Sequence, residues 1–308
     1  MKLKEISKQE EILTGGHRLC AGCGASVVAR QITAMAENPV VVGFSTGCFE
    51  VSTTIFPYTA WRSSYIHNAF ENVAATISGV ETAFRSLKKQ GKVDGEMEFI
   101  AFGGDGGTYD IGFQSLSGAM ERGHNMLYVC YDNGAYMNTG IQRSSATPKG
   151  ANTTTSPVGK VIPGKKENRK EMTDIIAAHN VPYVAQASPF NWRDLMKKAK
   201  KAFAIDGPSF LNVLSPCPRG WRAPEEMGIE LTKIAADTCF WPLFEVEEGE
   251  WRITYQPKEK KPITDWLKPQ GRFKHLLKPE NKELLEDIQQ HVDQRWEILL
   301  KRSSQDEE

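Results

Sequence analysis

The chain has 308 residues, enough for two average domains or for one large α/β domain with an extension. Its 38 Lys plus Arg balance 38 Asp plus Glu, which argues against a generally basic nucleic-acid binder, and a 40% hydrophobic fraction with 7 Trp excludes global disorder. No apolar run reaches the roughly 18 residues of a membrane span. Met1 to Ile6 also lack the apolar stretch of a signal peptide, so a cytoplasmic protein without membrane or nucleic-acid partners is expected.

Val27, Val28, Ile32 and Met35 fall at helical spacing until Pro39 stops the pattern, and Val40 to Phe44 reads as a short buried strand. Asn68 is a candidate N-cap for a longer helix carrying Phe70, Val73, Ala74, Ile77, Val80, Phe84 and Leu87. Beyond Gly91, Glu98 to Phe102 predicts a strand that runs into Gly103-Gly-Asp-Gly-Gly107. A helix from Phe113 to Arg122 and a strand from Met126 to Asp132 then complete a βαβ unit, the mark of a parallel sheet. Residues 143–170, rich in Ser, Thr, Gly and Pro, predict a loop of a length that compact enzymes reserve for function, such as a lid or a subunit contact.

Alternation resumes with a helix near Glu171 to His179, a strand from Val181 to Ala185, and a helix through Trp192, Leu195, Met196, Ala199 and Phe203. The strand Ser209 to Leu214 ends at Ser215-Pro-Cys-Pro218. The expected architecture is an α/β domain over residues 1–223, a mostly parallel sheet with helices on both faces. Residues 224–308 are expected as an arm that packs on the domain or on partner subunits. Their stretch 245–275 shows little periodicity, a helix runs from Glu283 to Leu300, and Ser303 to Glu308 form a disordered tail.

Six cysteines remain to be explained. Cys130 lies in an apolar run and Cys239 beside Phe240-Trp241, so both read as small buried hydrophobes. The other four sit at turns. Cys20-Ala-Gly-Cys23 precedes a helix, while Cys48 and Cys217 each follow a strand. Loops after parallel strands emerge on one edge, so these thiols can converge. Four thiolates suit zinc or a [4Fe–4S] cluster, with a redox pair or plain core cysteines as further readings.

Gly104-Asp105-Gly106-Gly107 joins a strand to a helix, where backbone N–H groups can hold a diphosphate. Asp105 would repel that anion unless a cation lay between them, and Mg²⁺ takes carboxylate, amide, carbonyl and phosphate oxygens together. The next strand ends at Asp132-Asn-Gly-Ala135, which offers the Asn133 side chain and a carbonyl near Ala135. A plain tight turn is the alternative for Gly-Asp-Gly. Neither a dinucleotide fingerprint nor a P-loop lysine is present.

His17-Arg-Leu-Cys-Ala-Gly-Cys-Gly24, Thr46-Gly-Cys-Phe-Glu50, Phe56-Pro-Tyr-Thr-Ala-Trp61, His67-Asn-Ala-Phe-Glu-Asn72, Tyr136-Met-Asn-Thr-Gly140 and Ser215-Pro-Cys217 complete the set. Together with the Gly-Asp-Gly and Asn133 loops, they closely resemble the thiamine diphosphate-binding β subunit of the pyruvate:ferredoxin oxidoreductases, over nearly the whole chain. The resemblance implies that Cys20, Cys23, Cys48 and Cys217 bind one [4Fe–4S] cluster. It implies that Asp105, Asn133 and the Ala135 carbonyl hold Mg²⁺, and that Cys48, Gly104, Asp105, Gly106, Gly107, Asn133, Gly134, Ala135, Tyr136, Met137 and Asn138 line thiamine diphosphate. Asn138 would face the substrate.

The implied reaction is oxidative decarboxylation of pyruvate to acetyl-CoA and CO₂, with electrons passing through the cluster to ferredoxin. Another small 2-oxo acid or oxalate is the alternative substrate. Partners implied are α-, γ- and δ-type subunits, ferredoxin and coenzyme A. A glutamate needed for catalysis would come from another subunit, so the chain alone should be inactive. One departure from the family pattern is Gly134, where a bulkier and often acidic residue is expected. A non-redox thiamine decarboxylase and a zinc-stabilised interaction module are the competing classes; the four cysteines oppose the first and the Gly-Asp-Gly loop the second.

Overall fold

The structure, a computed structural model, describes residues 3–304. Strands β1 (Val40–Ser45), β2 (Ser64–Asn68), β3 (Glu98–Gly104), β4 (Leu127–Asp132), β5 (Tyr183–Ala187), β6 (Ser209–Leu214), β7 (Leu243–Glu247) and β8 (Glu250–Tyr255) form one sheet in the order β2-β1-β3-β4-β6-β5-β7-β8. The first six run parallel, and β7 and β8 close one edge antiparallel. The main helices are α1 (Gly24–Thr33), α2 (Cys48–Thr53), α3 (Val73–Lys89), α4 (Phe113–Glu121), α5 (Met172–Ala177), α6 (Trp192–Ala204), α7 (Gly228–Asp237) and α8 (Lys282–Ser304). The expected α/β architecture is observed.

Both faces of the sheet are covered, which is why β1, β4, β5 and β6 are buried along their full length and read as continuous apolar runs. Successive side chains point to opposite faces. Val42, Phe44, Ile100, Phe102, Val129 and Leu211 pack with α1 and α6 on one face. Val41, Phe99, Ala101, Tyr128 and Phe210 pack with α3, α4 and the C-terminal segment on the other.

Three sequence expectations change. Asn68 ends β2 instead of capping the long helix, which starts at Val73 after Asn72. The ladder pairs Asn68 with Ser45, while its side chain still accepts from Thr76 in the first turn of α3. The stretch 245–275 holds a hairpin whose turn, Glu248-Gly249, takes φ values of 51° and 87°, the sense that suits the twist of a two-residue connection. Residues 224–304 thus extend the main sheet, and α8 buries Ile288, Val292, Trp296 and Leu299 in the same core. Lastly, Ser303 and Ser304 belong to α8; the rest of the expected disordered tail lies outside the described residues.

From β1 the chain moves outward to β2, then returns to place β3 on the other side of β1. This reversal opens a crevice at the carboxyl ends of the strands, where α/β sheets hold ligands. Among the described residues, no helix is long and apolar enough to cross a membrane.

Candidate active site

The ends of β1, β3 and β4 border a cleft of ≈ 360 Å³ lined by Thr46, Cys48, Gly104, Asp105, Gly106, Gly107, Asn133, Ala135, Tyr136, Met137 and Asn138, among others. Gly134 lies between two of these lining residues. The backbone leaves β3 at Gly104 and passes through a widened π turn, Gly107–Ile111, before α4 begins. Such turns recur at functional sites. Tyr136 donates its hydroxyl to the Gly106 carbonyl at 2.8 Å and occupies the space a Cβ on Gly106 would need.

Asp105 is 1% exposed. Burial, and then the charge of Asp132, pushes its carboxyl up to about 8. The Asn133 N–H donates to Asp105 Oδ1 at 3.2 Å, and Ser144 donates its hydroxyl to Oδ2. As placed, the Asn133 side-chain oxygen lies 2.9 Å from the Ala135 carbonyl and 3.0 Å from Asp105 Oδ1, acceptor against acceptor in both contacts. Turning the amide over lets its NH₂ group donate to both neighbours. A cation among the oxygens satisfies them in the orientation shown. Mg²⁺ with ligands at about 2.0–2.1 Å has adjacent oxygens roughly 2.9 Å apart in an octahedron, which fits this spacing.

The loop 143–170 grips this site from both of its ends. Beside the Ser144 bond, the Ser145 N–H donates to Asp110 at 2.9 Å and the Thr147 hydroxyl to the Gly134 carbonyl at 2.7 Å. At its far end Arg169 pairs with Asp132 at 2.8 Å, hydrogen-bonds the Tyr109 hydroxyl, and lies 4.5 Å from the Trp241 ring. Tyr109 in turn donates to Asp132 at 2.7 Å. Asp132, Tyr109, Ser144 and Arg169 were missed in the sequence. Only the position of Asp132, directly before Asn133, offered a signal.

The four singled-out cysteines come to the same sheet edge. Cys23 caps α1, whose first N–H, from Gly24, donates to the Pro216 carbonyl at 2.9 Å and ties the Cys20–Cys23 turn to the segment bearing Cys217. The Cys23 thiol is pushed up to about 12, by burial first and then by the charges of Cys217, Cys48 and Cys20. Burial also raises Cys48 and Cys217; the Asn138 side chain opposes this at Cys48, and the Gly220 N–H, 3.4 Å from the sulfur, does so at Cys217. Cys48 therefore belongs to both groups: it lines the cleft and stands within electrostatic reach of the other thiols. Cys130 and Cys239 are buried in the core at 0% and 3% exposure.

Gly134 takes a φ of 76°, and a Cβ there would meet Arg272 Nη1 at 3.1 Å. The room for a larger residue is thus filled by a guanidinium from the C-terminal segment. Trp221 donates its indole N–H to the Asn133 carbonyl at 2.7 Å and joins the Cys217 turn to the Asn133 loop. His67 pairs with the buried Glu50 two residues from Cys48.

A sheet with these loops at its switch point defines a thiamine-dependent α/β enzyme. Residues 45–213 match the family "Thiamine pyrophosphate enzyme, C-terminal TPP binding domain". Over 303 residues the chain is 54% identical to pyruvate synthase subunit PorB of Thermotoga maritima, covering 96% of this chain and 94% of that one. It is 44% identical to ketoisovalerate oxidoreductase subunit VorB of Pyrococcus abyssi, over 95% and 93% of the two chains. A solved structure of 2-oxoglutarate:ferredoxin oxidoreductase from Magnetococcus marinus shares the fold, with a TM-score of 0.57 and 21% identity over 76% of this chain and 80% of that one. The chain belongs to the thiamine pyrophosphate enzyme family and, within it, to the oxidoreductase subunits typified by pyruvate synthase PorB.

Proposed function

We propose that this chain is the thiamine diphosphate-binding subunit of a pyruvate:ferredoxin oxidoreductase, converting pyruvate and coenzyme A to acetyl-CoA and CO₂ and delivering electrons to ferredoxin. The observation that carries the reading is the meeting, through Cys48, of the Asp105, Asn133 and Ala135 polar groups and four thiols at one edge of the sheet. When bound, thiamine diphosphate supplies the nucleophilic carbon and electron sink for decarboxylation, and a [4Fe–4S] cluster takes up electrons one at a time.

In this reading Asp105, Asn133 and the Ala135 carbonyl hold Mg²⁺. Amides of Gly104 to Gly107 face the diphosphate, and Gly134, Tyr136 and Met137 shape the wall of the cleft. Cys20, Cys23, Cys48 and Cys217 bind the cluster. Structural zinc usually takes two close pairs of ligands, whereas here Cys20 and Cys23 form one close pair and Cys48 and Cys217 stand far apart in the sequence, which favours the cluster.

Asn138, exposed at the cleft and hydrogen-bonded to Cys48, is placed to orient a substrate carbonyl. Residues 1–223 supply every proposed ligand, while 224–304 extend the sheet and back the site. The full enzyme would include α-, γ- and δ-type subunits and act in the cytoplasm.

Pyruvate is preferred over ketoisovalerate because identity to the pyruvate synthase subunit is higher, 54% against 44%. The test is anaerobic purification of the assembled complex with iron, sulfide and thiamine assays. Dye reduction is then measured with pyruvate, ketoisovalerate, 2-oxoglutarate and oxalate, with and without coenzyme A. Pyruvate should give the highest kcat/KM, and the isolated chain should give no turnover. A complex without iron or thiamine, or one that prefers another acid, refutes the corresponding part of the proposal.

A further inference from the structure

Arg272 lies in a short helical turn, Gly271–Leu277, of the C-terminal segment and is 3% exposed. Its guanidinium carbon sits 4.7 Å from the Trp221 ring, 4.9 Å from Phe273 and 5.6 Å from Trp266, an aromatic box that withholds water. Its Nε donates to Gln270, a neutral partner, at 3.0 Å. Among the described residues it forms no ion pair with a carboxylate. Two other buried cations have a carboxylate, Arg169 with Asp132 and Lys198 with Asp194, whereas buried Lys165 is held by the Thr147 carbonyl at 2.6 Å. A buried charge without a counter-ion is strongly disfavoured.

The position of this charge is informative. Trp221, on which the guanidinium stacks, belongs to the turn Pro218–Trp221 that Cys217 caps. Arg272 Nη1 reaches the backbone of Gly134 from the other side, between Asn133 and Ala135. Burial pushes its guanidinium down to about 9, and the charges of Cys217, Asp132 and Asp105 oppose this, in that order.

We propose that Arg272 is the built-in counter-charge of the four-thiolate group, positioned to raise the reduction potential of the cluster held there. The inference rests on the reading of Cys20, Cys23, Cys48 and Cys217 as cluster ligands. A [4Fe–4S]²⁺ core with four thiolates carries a net charge of −2, and uptake of one electron makes it −3. A fixed cation nearby stabilises the second state more than the first, and net charge is among the determinants of such potentials. Arg suits this role because it keeps its proton and stacks on indole. Arg272 acts through the cluster and touches no reacting atom in this scheme, so it is a positioning residue.

The experiment is an EPR-monitored redox titration, with dithionite as reductant, of the assembled enzyme purified anaerobically. Wild type is compared with Arg272→Gln, Arg272→Lys and, as a control on the distant strand β8, Arg252→Gln. One cluster component should become at least tenfold harder to reduce in Arg272→Gln, a negative shift of about 59 mV or more for one electron. Arg272→Lys should retain most of the wild-type value, and Arg252→Gln all of it. If Arg272→Gln fails to assemble, Gln270→Glu places a carboxylate on the guanidinium and should produce the same negative shift.

Unchanged potentials in a variant with full iron content overturn the role of Arg272 and leave the cluster reading standing. A Cys217→Ser enzyme with wild-type iron and EPR signals instead removes the cluster reading itself.

Discussion

Replacing Gly24 by Ala tests whether the Cys20–Cys23 turn and Cys217 act as one unit. A Cβ on Gly24 would lie 2.1 Å from Pro216 Cδ and 2.7 Å from the Pro216 nitrogen, so backbone as well as ring must move. Restoring carbon–carbon contact requires a separation of roughly 1.4 Å or more between the two segments. Overpacking of this kind costs about 1–3 kcal/mol, and loss of the 2.9 Å Gly24–Pro216 hydrogen bond adds about 1 kcal/mol. The sum, about 2–4 kcal/mol, is below the roughly 5–15 kcal/mol of a typical fold, so the variant should still fold. Ala is also the better helix former by about 1 kcal/mol, so any loss comes from the contact. Iron and acid-labile sulfide should fall to less than half of wild type while thiamine diphosphate binding, measured by calorimetry, persists. Full iron content with an unaltered visible spectrum in Gly24→Ala would refute the claim that these segments share one group.

Arg169→Met leaves the buried Asp132 carboxylate without its cation and should destabilise the chain by about 3–5 kcal/mol, read as a lower denaturant midpoint. An unchanged midpoint would mean that the network carries no weight. The raised Asp105 carboxyl sets a pH dependence. Because its folded value of about 8 lies above the unfolded one, its contribution to metal-free stability is present at low pH and is lost as pH rises toward 8. Mg²⁺ binding with thiamine diphosphate should therefore strengthen from pH 6 to 8 and release protons below pH 8. Calorimetry in two buffers of different ionisation enthalpy detects this, and zero proton release at pH 6.5 speaks against it. Asn138→Ala should keep cofactor affinity and lower kcat by about 10²–10³-fold, as removal of one charge-stabilising donor does. A loss confined to KM would assign Asn138 to substrate affinity alone.

The parts legible in the sequence are those whose physics is local. Buried parallel strands such as Val40–Ser45 and Ser209–Leu214 are apolar runs, and a Gly-Asp-Gly turn is a sequence-contiguous phosphate and metal feature. Strand β2 escaped because Ser64–Asn68 lies at the sheet edge and is only partly buried, so no apolar run marks it. The β7–β8 hairpin did carry a signal, Phe244 and Val246 alternating with Glu245 and Glu247 before Glu248-Gly249, but surrounding Lys and Pro obscured it. Ser144, Arg169 and Arg272 were invisible for a different reason. Their partners Asp105, Asp132 and the Cys217 turn lie tens of residues away, and pairing over that separation is fixed only by the folded sheet.

The arrangement also explains why the C-terminal segment cannot be a mere appendage. Gly134 leaves space beside the Asn133 carbonyl, and Arg272 from residues 271–277 fills it while stacking on Trp221, whose indole holds that same carbonyl. The segment reaches the site through an unbroken set of contacts: α8 against the short turn, the turn against Trp221, and Trp221 against the loop that carries Asn133. A change in how α8 is held therefore bears on the same loop that offers oxygens to a cation. The proposed cation site and the thiol group then share a support as well as an edge, which is the mechanical counterpart of sharing Cys48.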